Sequence, residues 1–198
     1  MVITDTATNY ISKTYLNTLV NRHIINESIS INDSNRVDTT YKIYDVFLSY
    51  CYTDKEYAMK IVNLFEKVGY SVYIDLRDSA LSRNKKVDRK TVIRIASIMN
   101  RCKSLVYVHT ASAKMSKWCP WELGYMSGKK NFRCATILLI EDKEEFPRQE
   151  YLDIYPFLTF GMDANNRQYD FFAHDLDNKS NYVSFKDYIN NGRSPYHH

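Results

Sequence analysis

Four short apolar runs, separated by helix-length amphipathic stripes, constrain this chain more than any other feature. The runs are YDVFLS at 44–49, SVYI at 71–74, SLVYV at 104–108 and TILLI at 136–140. Runs this short and this continuously apolar are the pattern of strands buried on both faces. Between the first two, Ala58, Ile61, Val62 and Phe65 recur at i, i+3, i+4 and i+7, which is one face of a helix. Asp54 stands where a residue can cap that helix, and Gly69 where a left-handed residue can end it. A second stripe is Val92, Ile95, Ala96 and Met99. A third helix begins near Pro120, and a last one around 184–190 presents Phe185, Tyr188 and Ile189. A weaker strand falls at 157–160. Strands alternating with helices predict βαβ units, hence an α/β fold with a mainly parallel sheet covered on both faces.

The alternation starts at residue 43, which divides the chain into an extension, 1–42, and a main domain, 43–198. Within the first 25 residues, Ile11, Tyr15, Leu16 and Leu19 share a helical face. Residues 26–41, NESISINDSNRVDTTY, read as a polar linker. At 198 residues, the chain has length for one domain of ordinary size plus this extension. Its net charge of +4 is dispersed. The densest basic cluster, Arg83, Lys85, Lys86, Arg89 and Lys90, is broken by Asp88 and reads as solvated surface, so no nucleic-acid partner is expected. The first residues lack the apolar core of a signal peptide, and no run approaches the ~18 apolar residues of a membrane span. Cys51, Cys102, Cys119 and Cys134 form no CxxC pair. The expectation is a cytoplasmic protein, off the membrane, with free thiols.

In parallel sheets, ligands bind beyond the carboxyl ends of the strands. Here those ends lead into 49–53, 75–83 and 109–118, so functional residues are expected in these loops. Five glycines make neither GxGxxG nor a P-loop, and there is no GxSxG and no HExxH. His109, at a strand end, reads as a structural hydrogen bonder, and no histidine is placed to activate Cys119 as a nucleophile. One stretch stands apart, Ser-Lys-Trp-Cys-Pro-Trp-Glu-Leu-Gly-Tyr at 116–125. Pro120 suits a first helical turn, and Glu122 in that turn would meet the positive end of the helix dipole. On the residues alone, two readings stay open. Glu122 is either a first-turn acid beside two core tryptophans, or a functional carboxylate beside an aromatic platform.

The spacing of Trp118 and Glu122 resembles the Trp-x-x-x-Glu motif of catalytic TIR domains. The resemblance extends over roughly 43–160. It includes the opening Asp45-Val46-Phe47-Leu48-Ser49-Tyr50 followed by Asp54, then Val72-Tyr73-Ile74-Asp75, then Ser104-Leu105-Val106-Tyr107. Leu81-Ser82-Arg83, the 116–125 stretch and Glu150-Tyr151-Leu152-Asp153-Ile154-Tyr155-Pro156 look most like bacterial stand-alone TIR proteins, such as the signalling subunit of Thoeris anti-phage systems.

The resemblance implies a flavodoxin-like TIR fold with about five strands. It also implies an NAD+ glycohydrolase or ADP-ribosyl cyclase that cuts the nicotinamide–ribose bond, with Glu122 as the catalytic carboxylate. NAD+ would be substrate, with no further cofactor and no metal. Trp118 would stack on a substrate ring, and Ser49 and Tyr50 would contact phosphate or ribose. Asp75 and Arg77 would belong to the covering loop, and Arg83 would engage phosphate. The implied chemistry suits a single carboxylate. Nicotinamide leaves as a neutral base without protonation, so only the oxocarbenium-like charge needs stabilising. Self-association and a separate receptor for a diffusible cyclic ADP-ribose isomer are further implications. A non-catalytic TIR interaction module is the alternative, and a nucleoside deoxyribosyltransferase a more distant one.

Overall fold

The computed structural model describes residues 2–3, 10–21, 42–78, 81, 88–131, 133–141, 149–163 and 167–195. The linker 26–41, Arg83, Lys85, Lys86, His197 and His198 lie outside the described residues. In chain order the strands are β1 (Val2–Ile3), β2 (Ile11–Ser12), β3 (Tyr44–Ser49), β4 (Val72–Tyr73), β5 (Cys102–His109), β6 (Cys134–Ile140), β7 (Phe157–Asp163), β8 (Tyr169–His174) and β9 (Tyr182–Ser184). The helices are α1 (Lys13–Asn21), α2 (Lys55–Lys67), α3 (Arg89–Asn100), α4 (Trp118–Lys129) and α5 (Phe185–Asn191).

The sheet runs β4-β3-β5-β6-β7-β8-β9. Strands β4 through β7 are parallel, and β8 and β9 join antiparallel. The α/β expectation therefore holds, with an antiparallel edge that the sequence reading did not assign. The edge lacks a continuous apolar run: β8 reads Tyr-Asp-Phe-Phe-Ala-His. Its acid is satisfied in place, since Asp170 accepts from Tyr70 Oη at 2.9 Å and from the Phe171 amide at 2.7 Å.

Period-two alternation sends successive side chains to two cores. Val106 and Val108 of β5 face one way, with α1, α2 and α5, while Leu105 and Tyr107 face the other, with α3 and α4. On the first face, Phe65 of α2 stacks on Phe171 with ring centroids 3.8 Å apart. Helix α2 ends as expected at Gly69, whose φ is +95°. The Tyr70 amide donates back to Phe65 O at 3.0 Å and the Gly69 amide to Glu66 O at 3.1 Å, the two bonds of a Schellman cap.

The N-terminal segment enters the main body. Strand β7 meets β6 at Thr136 and Phe157, and further along β6 its neighbour is β2, with Ile11 beside Leu139 and Ser12 beside Ile140. Leu16 and Leu19 of α1 are buried in the same core as α2. Lys13 Nζ reaches Glu141, just past β6, at 2.5 Å.

Candidate active site

Two strand ends and one helix build the site. The chain moves from β3 to β4 on one side and then returns to β5 on the other side of β3. This reversal is a topological switch point, and the crevice beyond the carboxyl ends of β3 and β5 is where such sheets take ligands. Ser49 is the last residue of β3, and α4 follows the loop after β5. Across that gap, Ser49 Oγ donates to Glu122 Oε2 at 2.6 Å.

Helix α4 starts earlier than the sequence reading has it. It begins at Trp118, and Glu122 is its fifth residue, one turn in from the dipole's positive end. The cause is Ser116, whose hydroxyl accepts the amides of Trp118 and Cys119, both at 3.2 Å. Starting the helix two residues ahead of Pro120 lets Cys119, Leu123 and Met126 face the sheet. Trp118 and Glu122 are then i and i+4 neighbours, with Trp118 nearer the rim and 37% exposed. Its ring meets Trp121 edge-on, with centroids 5.7 Å apart, and Trp121 stacks on Tyr125.

The electrostatics follow this placement. Glu122 keeps some solvent access but is ringed by protein, as a group on the floor of a concavity would be. That burial pushes its pKa up to about 8, the Ser49 hydroxyl pulls it back, and the charge on Asp75 adds to the rise. The neighbouring Cys119 thiol is pushed up to about 12, first by burial and then by Glu122. It is therefore a neutral thiol and a poor nucleophile.

The remaining sequence candidates lie at different distances from this pair. Tyr50 Oη donates to Asp75 Oδ1 at 2.7 Å, which ties the end of β3 to the loop after β4. Arg77 points elsewhere: its guanidinium is held by Glu66 of α2, with Nη2 to Oε2 at 3.1 Å. Arg83 lies outside the described residues. Asp54 does not cap α2 with its side chain. Its backbone belongs to a short 3-10 turn with φ −98° and ψ 16°, and its carboxylate instead accepts from Thr110 Oγ1 at 2.7 Å. Sequence reasoning missed Thr110, Ser116 and Asp78. Asp78 anchors the loop after β4, accepting from Tyr73 Oη at 2.8 Å and from Arg94 Nε and Nη2 at 2.9 and 2.8 Å. Ser116 was legible as a serine just before a helix, but the Asp54–Thr110 and Asp78–Arg94 pairs have no local signature.

The TIR domain family model matches residues 46–176. The chain belongs to the TIR domain family. This TIR domain is 34% identical over 150 residues to a Bacillus cereus (strain MSX-D12) protein named "Probable 3' cyclic ADP-D-ribose synthase ThsB'", covering 75% of this chain and 76% of that one. It is 33% identical over 94 residues to "Putative cyclic ADP-D-ribose synthase TIR2" of Cytobacillus dafuensis, covering 47% of this chain and 24% of the relative. Among solved structures, the TIR domain of the Toll-related receptor TRR-2 from Hydra magnipapillata matches with a TM-score of 0.45 and 16% identity, over 58% of this chain and 83% of that one. The family match leaves β1, β2, α1, β9 and α5 outside its bounds. No helix among the described residues is long and apolar enough to cross a membrane.

Proposed function

We propose that this TIR domain cleaves the bond between nicotinamide and ribose in NAD+, with Glu122 as the catalytic carboxylate. The observation that carries this reading is the Ser49 Oγ to Glu122 Oε2 bond of 2.6 Å, which holds a carboxyl group at the switch point of a parallel sheet. The C1′–N bond breaks with its electron pair going to nicotinamide, which leaves neutral. The ribosyl cation that develops is stabilised by the carboxylate. A nucleophile on the ADP-ribosyl group itself then closes a ring, giving a cyclic ADP-ribose isomer and releasing a proton, while capture by water gives linear ADP-ribose. The names of the two bacterial relatives favour the cyclic product. NAD+ is substrate here, and no other cofactor enters the reaction.

In this reading Trp118 offers a ring face at the rim, and Tyr50 with Asp75 borders the ribose side. Arg77, already paired to Glu66, is a weaker candidate for substrate contact. Self-association belongs to the same reading. A separate receptor consumes the product.

The test is purified protein incubated with NAD+ and its products separated by chromatography and mass spectrometry. Wild type is expected to release nicotinamide and a cyclic ADP-ribose isomer, and folded Glu122→Ala to release neither. Cleavage persisting in folded Glu122→Ala would remove the catalytic role from that residue. Self-association without any turnover in wild type would favour a pure interaction module.

A further inference from the structure

We propose that Asp54 and Thr110 form a positioning clamp that sets the distance between Ser49 and Glu122. This rests on the catalytic reading of Glu122 given above. Thr110 is the first residue after β5, and Asp54 lies five residues past Ser49, the end of β3. Both are buried, at 3% and 6% exposure. Thr110 Oγ1 donates to Asp54 Oδ2 at 2.7 Å and accepts the Ala113 amide at 3.0 Å.

Each bond leads toward the site. Ala113 opens a 3-10 turn that ends at Met115, the next residue is Ser116, and the Ser116 hydroxyl caps the helix carrying Glu122. Asp54 closes the short turn that leaves Ser49 and opens α2. One hydroxyl thus ties the loop after β3 to the loop after β5, the two loops that flank the switch point. Shifting either loop moves the partner of a 2.6 Å bond. A buried carboxylate is costly unless it is hydrogen-bonded, and Asp54 spends its charge on the neighbouring loop rather than on its own helix. Lys13 of α1 faces it from the N-terminal segment: burial lowers the Lys13 pKa, but Glu141, Tyr57 and Asp54 together outweigh that and raise it.

The clamp acts through Glu122, so its readouts are the titration of that carboxyl and the turnover it supports. The experiment compares wild type with Thr110→Val, Thr110→Ser and Asp54→Ala. The Glu122 side-chain carboxyl is followed by carbon-13 NMR without substrate, and NAD+ cleavage is measured across pH. In wild type the carboxyl is expected to titrate near 8. Opening the clamp draws Ser49 away from Glu122 and loosens the bond that holds the carboxyl's pKa down. Thr110→Val and Asp54→Ala are therefore expected to raise that pKa, in the same direction as Ser49→Ala, by about half a unit or more, with kcat reduced about tenfold or more and KM changed less. Thr110→Ser keeps the hydroxyl and is expected to keep both values. A folded Thr110→Val or Asp54→Ala protein that titrates and turns over as wild type does overturns the clamp. If Thr110→Val does not fold, Thr110→Ala gives the same comparison with a smaller side chain. A wild type without NAD+ turnover removes the catalytic reading, while the NMR titration still decides the clamp.

Discussion

With a pKa near 8, Glu122 is mostly protonated at neutral pH, whereas stabilising a ribosyl cation calls for the carboxylate. The nicotinamide ring of NAD+ is itself cationic, so bound substrate favours loss of that proton. Because kcat/KM reports the free enzyme, it is expected to climb from pH 6 and level off above about 8. Ser49→Ala removes a bond that lowers the pKa, so the inflection should move to higher pH, and Asp75→Asn should move it lower. A flat profile in wild type would contradict the burial of this group. The same shift bears on stability. Unfolded, the side chain titrates at the ordinary 4.5, and folded at about 8. Between those values the native state holds a proton that the unfolded chain has released, so wild-type stability falls as pH rises through the window and levels off above it. Glu122→Gln cannot ionise. Its melting temperature is expected to exceed that of wild type by a few degrees at pH 8 and to converge with it near pH 4.5. Calorimetry at both pH values checks this.

Helix ends show how much of the elements was readable. Gly69 stops α2 because φ +95° is open to glycine and strained for other residues. A Cβ there would meet nothing within 4 Å, so Gly69→Ala is expected to cost about 1 kcal/mol from backbone strain alone. Urea unfolding measures it, and an unchanged midpoint would show that the turn relaxes. The start of α4 was misread because Ser116 caps ahead of Pro120, although proline and glutamate look like first-turn residues. The Asp54 cap was misread for the opposite reason: a better partner came from a loop 56 residues away. Strand β8 was not assigned because its charged and polar residues interrupt the apolar pattern, and partners from elsewhere in the chain satisfy them, Tyr70 for Asp170 and Thr159 with the Lys179 carbonyl for His174.

The molecule as a whole is a three-layer α/β body in which the first residues are structural. Ile11, Leu16 and Leu19 are each 3% exposed or less. Burying a large aliphatic side chain contributes about 1.5–3 kcal/mol, so losing three removes ~5 kcal/mol or more from a total that is rarely above ~15. A chain beginning at residue 42 is therefore expected to melt at least ~10 °C below the full chain. Equal melting temperatures would show that the β2 and α1 contacts are dispensable.

Local pattern was enough to specify the parallel sheet, the helix faces and the rim on which a ligand would bind, because two-residue and 3.6-residue periods are written into neighbouring positions. The Trp118–Glu122 spacing lay within one helix and was visible for the same reason. Which groups meet across the switch point was not. Ser49 and Glu122 are 73 residues apart and Asp54 and Thr110 are 56 apart, and such pairings arise when loops from different strands are brought side by side. The raised pKa of Glu122 depends on how many atoms surround it, and that is set by packing rather than by its neighbours in the chain.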